Sequence, residues 1–572
     1  MTREPGELLE AARLWIAGDP EPDLREELEA LCRARNFAEL ARRMAPLEFG
    51  TAGLRAPLGA GSGYMNRAVV LKTTYGIGRY VLEAGDGARA PVVIGYDARR
   101  RSREFAEVCA GVLLAMQIDV QLFPQPVPTP LVAFAARELA SPLAIVITAS
   151  HNPRGDNGYK VYGPNAAQLV APLDRELTRR IAAAPAAREV PCLELDPGSA
   201  AVQKHFAWVA PAQYDAYFAA LAAALPAGQA ARDLSIVYSA FHGVGWRYAE
   251  RALREAGFCD LRPVAEQIEP DGAFPTIAFP NPEEPSTLDR ALSLARSTGA
   301  ELVLVNDPDA DRLAAAARSG GELAVLDGNQ IGALLADYLL ERAPREPLPL
   351  VVSSIVSSPL VAAIAESYGA RYERTHTGFK WMWLAALELV RSEGVQFCFA
   401  YEEALGYSVF AGVRDKDGIA AARALAELAA AQREKGRTLF DRLFELYAAH
   451  GVWASAARPL ALDPARAGAE LSARLDALVR APPSQLAGIE LARVIDYRAQ
   501  TGRQLAWLAP APLLELELLD GSKAFVRPSG TEPKLKLYSH VKRDLAIDRD
   551  AALRGARDFA ERLLEVLAKH FA

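Results

Sequence analysis

Several times along this chain a short, strongly apolar run ends in a loop rich in Gly, Asp or Ser, with an amphipathic stretch following, and no other feature restricts the fold as much. Val92-Val93-Ile94-Gly95-Tyr96 ends in Asp97 and is followed by a helix-like stretch to Met116; Leu143-Ala144-Ile145-Val146-Ile147 runs straight into Thr148-Ala149-Ser150-His151. Leu234-Ser235-Ile236-Val237-Tyr238 precedes Phe241-His242-Gly243, and Leu302-Val303-Leu304-Val305 precedes Asn306-Asp307-Pro308-Asp309. A third region repeats the pattern with Leu350-Val351-Val352 and with Phe397-Cys398-Phe399-Ala400-Tyr401 before Glu402-Glu403. Continuous apolar runs alternating with helical stretches predict α/β architecture. In such sheets ligands bind at the loops beyond the carboxyl ends of the strands, where the polar clusters of this chain fall.

With 572 residues the chain exceeds one hydrophobic core, since cores stop growing at about 250–300 residues. The pattern divides it into 1–205, 206–320, 321–445 and 446–572. The stretch to Met44 carries leucines and alanines at helical spacing and is a helical lead-in. Alanine-rich, proline-dotted stretches at Ala182–Glu194 and Ala343–Pro349 suit linkers or surface excursions, and Ala457–Leu486 has a similar character. The last region differs in kind: Leu513–Asp520 and Lys523–Val526 are predicted strands joined at Asp520-Gly521, and Ala546–Phe571 is a predicted closing helix.

A net charge of −7 argues against a nucleic-acid or polybasic membrane partner, because phosphate backbones and anionic lipids need a basic face. The five cysteines never fall in a Cys-x-x-Cys spacing, so neither a disulfide frame nor a zinc site is expected. No window approaches the length of a membrane span and no secretory signal is visible, which makes the cytoplasm the expected location.

Three loops hold the chemistry. Thr148-Ala149-Ser150-His151-Asn152-Pro153 delivers a serine from an apolar strand with a histidine beside it, and Lys160 follows in Asn157-Gly158-Tyr159-Lys160. A turn or helix cap is the plainer reading of that pair, and no Gly-x-Ser-x-Gly elbow points to a hydrolase. Asp307-Pro308-Asp309-Ala310-Asp311-Arg312 sets three carboxylates at alternate positions after a strand, which suits a hard cation such as Mg²⁺; an acidic surface turn is the bland alternative. Arg527-Pro528-Ser529-Gly530-Thr531-Glu532-Pro533-Lys534 gathers a guanidinium, two hydroxyls, a glycine and a lysine, either a phosphate cradle or a surface turn. Thr377-Gly378-Phe379-Lys380, Glu402-Glu403 and Lys416-Asp417-Gly418 are further polar loops, and Gly50-Thr51-Ala52-Gly53-Leu54-Arg55 brings an arginine on a glycine hinge. His205 and His242 read as structural.

Taken in this order, from Glu48 to Tyr538, the segments resemble the α-D-phosphohexomutase superfamily of phosphoglucomutases and phosphomannomutases. The resemblance implies a four-domain, heart-shaped α/β fold, with three related α/β domains and a C-terminal α+β domain around a central cleft. It implies phosphorylation of Ser150, and Mg²⁺ held by Asp307, Asp309, Asp311 and the phosphoserine. Arg312 would then lie by the serine phosphate. Thr377, Gly378, Lys380, Glu402, Glu403 and Lys416 would meet the substrate, and Arg527, Ser529, Gly530, Thr531 and Lys534 the phosphate that is not transferred. Arg55 and His151 would complete a cationic rim, with Lys160 as general base.

Finer details, including Glu48-Phe49-Gly50-Thr51-Ala52-Gly53 and Thr377-Gly378-Phe379-Lys380-Trp381, are similar to the branch of phosphopentomutases, glucose 1,6-bisphosphate synthases and some bacterial phosphoglucomutases. Ala404 stands where the glucose enzymes carry a serine that binds a sugar hydroxyl, which weakens the expectation of strict hexose preference.

The expected reaction interconverts sugar 1-phosphate and sugar 6-phosphate, glucose first among them, through phosphoserine and a bound bisphosphate. Glucose 1,6-bisphosphate would prime the serine. Ribose 1-phosphate as substrate, or bisphosphate synthesis, are the alternatives, and the expected partners are small phosphosugars, in a monomer or a homodimer. A phosphatase using Asp307 as nucleophile leaves Ser150 and the Arg527 loop without a role, and a noncatalytic sugar-phosphate-binding protein need not have kept the serine and all three aspartates.

Overall fold

The computed structural model describes residues 4–47, 53–83, 90–196, 198–228, 230–461, 469–499, 505–528, 534–544 and 549–571. The chain forms two compact units, Met1–Ala316 with Gly406–Ala430, and Ala317–Leu405 with Ala431–Ala572.

The first unit opens with the helical lead-in, Pro5–Gly18, Pro22–Arg33 and Phe37–Arg43, closed by Leu8, Ala12, Leu28, Leu40 and Met44 in a small core of its own. Six strands follow: β1 (Leu54–Pro57), β2 (Val92–Tyr96), β3 (Val120–Leu122), β4 (Ala144–Ile147), β5 (Asp156–Tyr162) and β6 (Phe206–Trp208), in the order β1-β5-β4-β2-β3-β6. β2 runs parallel to β3 and β4, and every residue of β2 and β4 is buried, as expected of central strands covered on both faces. β5 turns back antiparallel to β4 and pairs antiparallel with β1. Val92, Ile94, Ile145 and Ile147 meet Phe105, Val112 and Leu113 of the helix Ser102–Ala115 in the main core.

The expected linker near Ala182–Glu194 is pinned down: Ala184, Ala187 and Val190 are buried, and the Leu193 amide donates to the Gly111 carbonyl.

A second sheet contains β7 (Ile236–Ser239), β8 (Leu261–Pro263), β9 (Leu302–Asn306) and β10 (Leu313–Ser319), in the order β10-β9-β7-β8, with β7 parallel to both β8 and β9. The second unit follows with β11 (Glu322–Leu326), β12 (Pro349–Ser354), β13 (Arg371–Thr375) and β14 (Gln396–Glu402), of which β12 lies parallel to β13 and β14. At β15 (Gly406–Ser408) the chain has rejoined the first unit, to which it also adds most of the helix Gly418–Glu434.

The last domain is an antiparallel sheet of β16 (Val452–Ala461), β17 (Gln485–Leu486), β18 (Ile489–Asp496), β19 (Leu514–Leu518), β20 (Lys523–Pro528) and β21 (Lys534–Arg543), in the order β16-β21-β20-β19-β18-β17. Leu535, Leu537 and Val541 share a core with Phe559, Leu563, Leu564 and Leu567 of the closing helix Arg549–Ala568. Among the described residues no helix is long and apolar enough to cross a membrane.

Candidate active site

Ser150 sits in the loop beyond β4, buried, with φ of 53°, a left-handed conformation that a serine holds only when its surroundings fix it. Its amide donates to Thr148 Oγ1 at 2.8 Å, and its hydroxyl donates to Asp307 Oδ2 at 2.8 Å. His151 Nδ1 lies 3.1 Å from the same Oγ. Burial first, and then the Arg312 and Arg55 guanidiniums, hold the His151 imidazole well below its ordinary range, so it is neutral. Gly158 allows this crowding: a Cβ there would fall 2.5 Å from the Thr148 carbonyl and 2.6 Å from that of Leu54.

The strand-end turn after β9 buries Asp307, Asp309 and Asp311 completely, each 0% exposed, with one carboxylate oxygen of each within 4.8 Å of the others. A glycine serves here too, since a Cβ on Gly243 would stand 2.3 Å from Pro308 Cα. Three buried like charges need compensation, and the fold supplies it from two other elements. Lys160, on β5 opposite Val146, places Nζ 2.6 Å from Asp309 Oδ2 and 2.9 Å from Asp311 Oδ2. Lys416 reaches Asp311 Oδ2 at 2.8 Å, and Thr129 Oγ1 donates to Asp309 Oδ2 at 2.7 Å.

Burial, with the charges of Asp311 and Asp309, pushes Asp307 well above the usual carboxylate range. Burial and the Asp311 charge push Asp309 the same way, but Lys160 and Thr129 reverse this and leave it below that range. Burial also raises Asp311, and the Lys160, Lys416 and Arg312 charges outweigh it.

Arg55 on β1 donates to Asn152 Oδ1 at 3.3 Å; burial lowers its pKa while Asp309 and Asp311 pull the other way. The Arg312 amide donates to Asp307 Oδ1 at 2.9 Å, and its guanidinium reaches Glu283 Oε2 at 3.1 Å.

Lys416 also meets Asp415 Oδ1 at 3.5 Å, and of its surroundings beyond Asp311 only Asp417 was named from the sequence. Asp415 accepts from Tyr162 Oη and Gln168 Nε2, each at 2.6 Å. Asp417 caps the helix Gly418–Glu434 through the amides of Ile419 and Ala420, takes the Tyr217 hydroxyl at 2.8 Å, and is pushed up to about 6 by burial. Asp97 is another omission: its carboxylate takes Thr148 Oγ1 at 2.6 Å and Ser102 Oγ at 2.7 Å, and Arg99 adjoins it. The signal for Asp97 was its place at the end of an apolar strand, like Ser150 and Asp307. Tyr162, Gln168 and Asp415 had no comparable local signal.

In the second unit, Thr377 and Gly378 precede the helix Phe379–Glu393; Gly378 adopts φ of 115°, and Lys380 lies over the Trp381 ring at 5.3 Å. Glu402 ends β14, and Glu403 accepts from Ser354 Oγ at 3.0 Å and Ser357 Oγ at 3.2 Å. Arg527 on β20 pairs with Lys536 and lies near enough to His376 for its charge, after burial, to lower that imidazole's pKa. Lys534 opens β21. Ser529, Gly530 and Thr531, like Glu48 to Ala52, lie outside the described residues. His242 is held structurally, Nε2 to Thr276 Oγ1 at 2.8 Å, and His205 meets Asp119 at 2.6 Å.

The carboxylates fit a hard cation. Asp309 Oδ1 and Asp311 Oδ1 are buried and have no hydrogen-bond partner, an arrangement costly for carboxylates unless they coordinate a metal.

Comparison with known proteins identifies the family. The chain matches the phosphoglucomutase/phosphomannomutase alpha/beta/alpha domain I over residues 46–188, domain II over 215–320 and domain III over 327–448. It is 35% identical over 496 residues to a Haemophilus influenzae protein named "Probable phosphomannomutase", covering 86% of this chain and 95% of that one. It is 33% identical over 562 residues to human phosphopentomutase, covering 92% and 90%. The crystal structure of pp63/parafusin, a phosphoglucomutase from Paramecium, has the same fold, with a TM-score of 0.67 at 17% identity over 92% of this chain and 96% of that one. Three matched α/β domains, a fourth sheet-bearing domain and relatives that share most of its length place the chain in the α-D-phosphohexomutase superfamily, as a phosphomutase of the phosphoglucomutase/phosphomannomutase family.

Proposed function

We propose that the protein is a Mg²⁺-dependent mutase that interconverts glucose 1-phosphate and glucose 6-phosphate through a phosphorylated Ser150 and a bound bisphosphate. One observation carries the reading: the Ser150 hydroxyl, beside a neutral imidazole, donates at 2.8 Å to the first of three buried carboxylates suited to a cation.

Phosphoryl transfer passes through a loose transition state, so it needs positioning and positive charge more than a forceful nucleophile. Asp307, Asp309 and Asp311 would hold Mg²⁺, which when bound would stabilise charge on the phosphoryl oxygens. Arg55 and Arg312 add cations on the serine side. As the bond from phosphorus to Ser150 Oγ breaks and that to the sugar hydroxyl forms, the hydroxyl must give up its proton. Lys160 is the candidate acceptor, which it can be only as a neutral amine, after giving up the ammonium proton when another cation takes over its two carboxylates. Thr377, Gly378, Lys380, Glu402 and Glu403 are assigned to the sugar, and Arg527, Ser529, Gly530, Thr531 and Lys534 to the phosphate that stays. Glucose 1,6-bisphosphate would charge the serine.

Ala404 favours a second reading, a phosphopentomutase, because it lacks the hydroxyl that glucose-specific relatives place there. The test compares kcat/KM for glucose 1-phosphate and ribose 1-phosphate, with Mg²⁺ and bisphosphate present and Ser150→Ala as control. Higher kcat/KM with glucose supports the first reading and higher kcat/KM with ribose the second. Full activity in Ser150→Ala would overturn both.

A further inference from the structure

The guanidinium of Arg99 gathers the carbonyls of the serine loop. Nη2 donates to the carbonyls of Ser150 and Asn152, each at 2.6 Å, and Nη1 donates to those of Pro153 at 2.9 Å and Asp156 at 3.1 Å. Four backbone carbonyls point at one buried cation, which is 3% exposed.

The arginine is itself fixed from two directions. Its amide donates to Asp97 Oδ1 at 3.0 Å, and the other oxygen of that carboxylate takes Thr148 Oγ1, the acceptor of the Ser150 amide. On the opposite side the Phe274 ring lies 5.1 Å from the guanidinium carbon, and Gly272 packs so closely that a Cβ there would stand 2.8 Å from Arg99 Cα. Asp97 and Arg99 therefore hold Ser150 at both ends, one through its amide and the other through its carbonyl.

We infer that Arg99, covered by Phe274, is a positioning residue that holds Ser150 in its left-handed conformation, with Oγ on Asp307; the inference rests on the reading of Ser150 as the phosphoryl carrier. The left-handed region is strained for a residue with a side chain, and the loop keeps it because the Ser150 carbonyl is tied to the guanidinium. Lysine cannot replace this arrangement. Its ammonium is a point charge with three donors and no planar fork, so it cannot meet four carbonyls spread along seven residues. The Arg99 side chain donates to the serine-loop carbonyls and not to Asp307, Asp309 or Asp311, so its loss should alter transfer to and from Ser150 and leave sugar binding nearly unchanged.

The experiment uses the full-length protein with Mg²⁺ and glucose 1,6-bisphosphate. It measures the rate of Ser150 phosphorylation by quench and mass spectrometry, kcat and KM for the sugar monophosphate, and amide hydrogen exchange over residues 150–157, in wild type, Arg99→Lys and Phe274→Leu. Arg99→Lys should slow serine phosphorylation and kcat by about 100-fold, with KM within about 3-fold, because a misplaced nucleophile loses the oriented geometry and not the binding energy. Exchange should rise in 150–157 and stay level elsewhere. Phe274→Leu should lower kcat by about 10-fold with the same split, since the loss is that of one aromatic cover over a buried cation.

Wild-type kcat in Arg99→Lys, or a loss carried by KM with unchanged exchange in the loop, would overturn the inference. If Arg99→Lys does not fold, wild-type kcat and exchange in Phe274→Leu would overturn it instead. If wild-type Ser150 never takes up phosphate, the carrier reading fails, and loop exchange in the variants still decides whether Arg99 holds the loop.

Discussion

The Lys160 ammonium stands 2.6 Å from Asp309 Oδ2, both side chains almost fully out of solvent, although 149 residues separate them in sequence. The same ammonium meets Asp311, so one lysine compensates two carboxylates that also suit a divalent cation. Lysine and metal would thus share the same two carboxylates, the lysine on Oδ2 of each and the unpartnered Oδ1 left for the cation.

Lys160→Met should therefore leave two buried carboxylates short of a partner and destabilise the metal-free protein by about 3–5 kcal/mol. Mg²⁺ should then raise the melting temperature more in the variant than in wild type, because a ligand that binds only the folded state adds stability, and here it replaces a lost charge. Thermal melts with EDTA and with saturating Mg²⁺ check this. Equal Mg²⁺ shifts in both proteins would mean that the lysine and the cation do not share the carboxylates.

Ala404→Ser supplies the hydroxyl that the resemblance to the glucose enzymes implies at this position. A hydroxyl that gains a sugar partner contributes about 1–1.5 kcal/mol, so the ratio of kcat/KM for glucose 1-phosphate to that for ribose 1-phosphate should rise by about 10-fold. Parallel steady-state kinetics on the two sugars measure it. An unchanged ratio would show that the loop after β14 does not read the sugar ring.

Acid should weaken the second unit through His540. This imidazole is buried between the Val356 carbonyl, 2.8 Å from Nε2, and Ser455 Oγ, 2.8 Å from Nδ1. Burial, against the pull of the Val356 carbonyl, lowers its pKa from 6.5 to about 4, with the Lys523 charge adding to the fall and that of Glu515 opposing it. The unfolded chain takes up the proton below 6.5 and the folded chain only below about 4, so the contribution is complete above 6.5 and is lost as pH falls through that window. The loss amounts to about 3 kcal/mol, and His540→Gln should flatten the slope of stability against pH between those values. Urea titrations at a series of pH values would show it.

The candidate loops stand out in the sequence because each follows an apolar strand: burial on both faces demands an unbroken run of Val, Ile and Leu, so the polar residues that end it are conspicuous. Ser150 and the three aspartates are of this kind, as are Glu402 at the end of β14 and Glu403 after it. The α/β class and the antiparallel last domain follow from the same local periodicity. Local pattern carries no information about which distant side chain neutralises a buried charge. The resemblance implied Lys160 as a general base and Lys416 as a substrate contact; that both neutralise Asp311 follows only from the antiparallel return of β5 and the re-entry of Gly406–Ala430 into the first unit. Arg99 looked like one of three consecutive arginines after β2, and the fold alone selected it to gather the serine-loop carbonyls. Residue type and spacing determined which groups could react; packing decided which of them are held, by what, and in which charge state, because desolvation and pairing depend on neighbours that the chain meets only when folded.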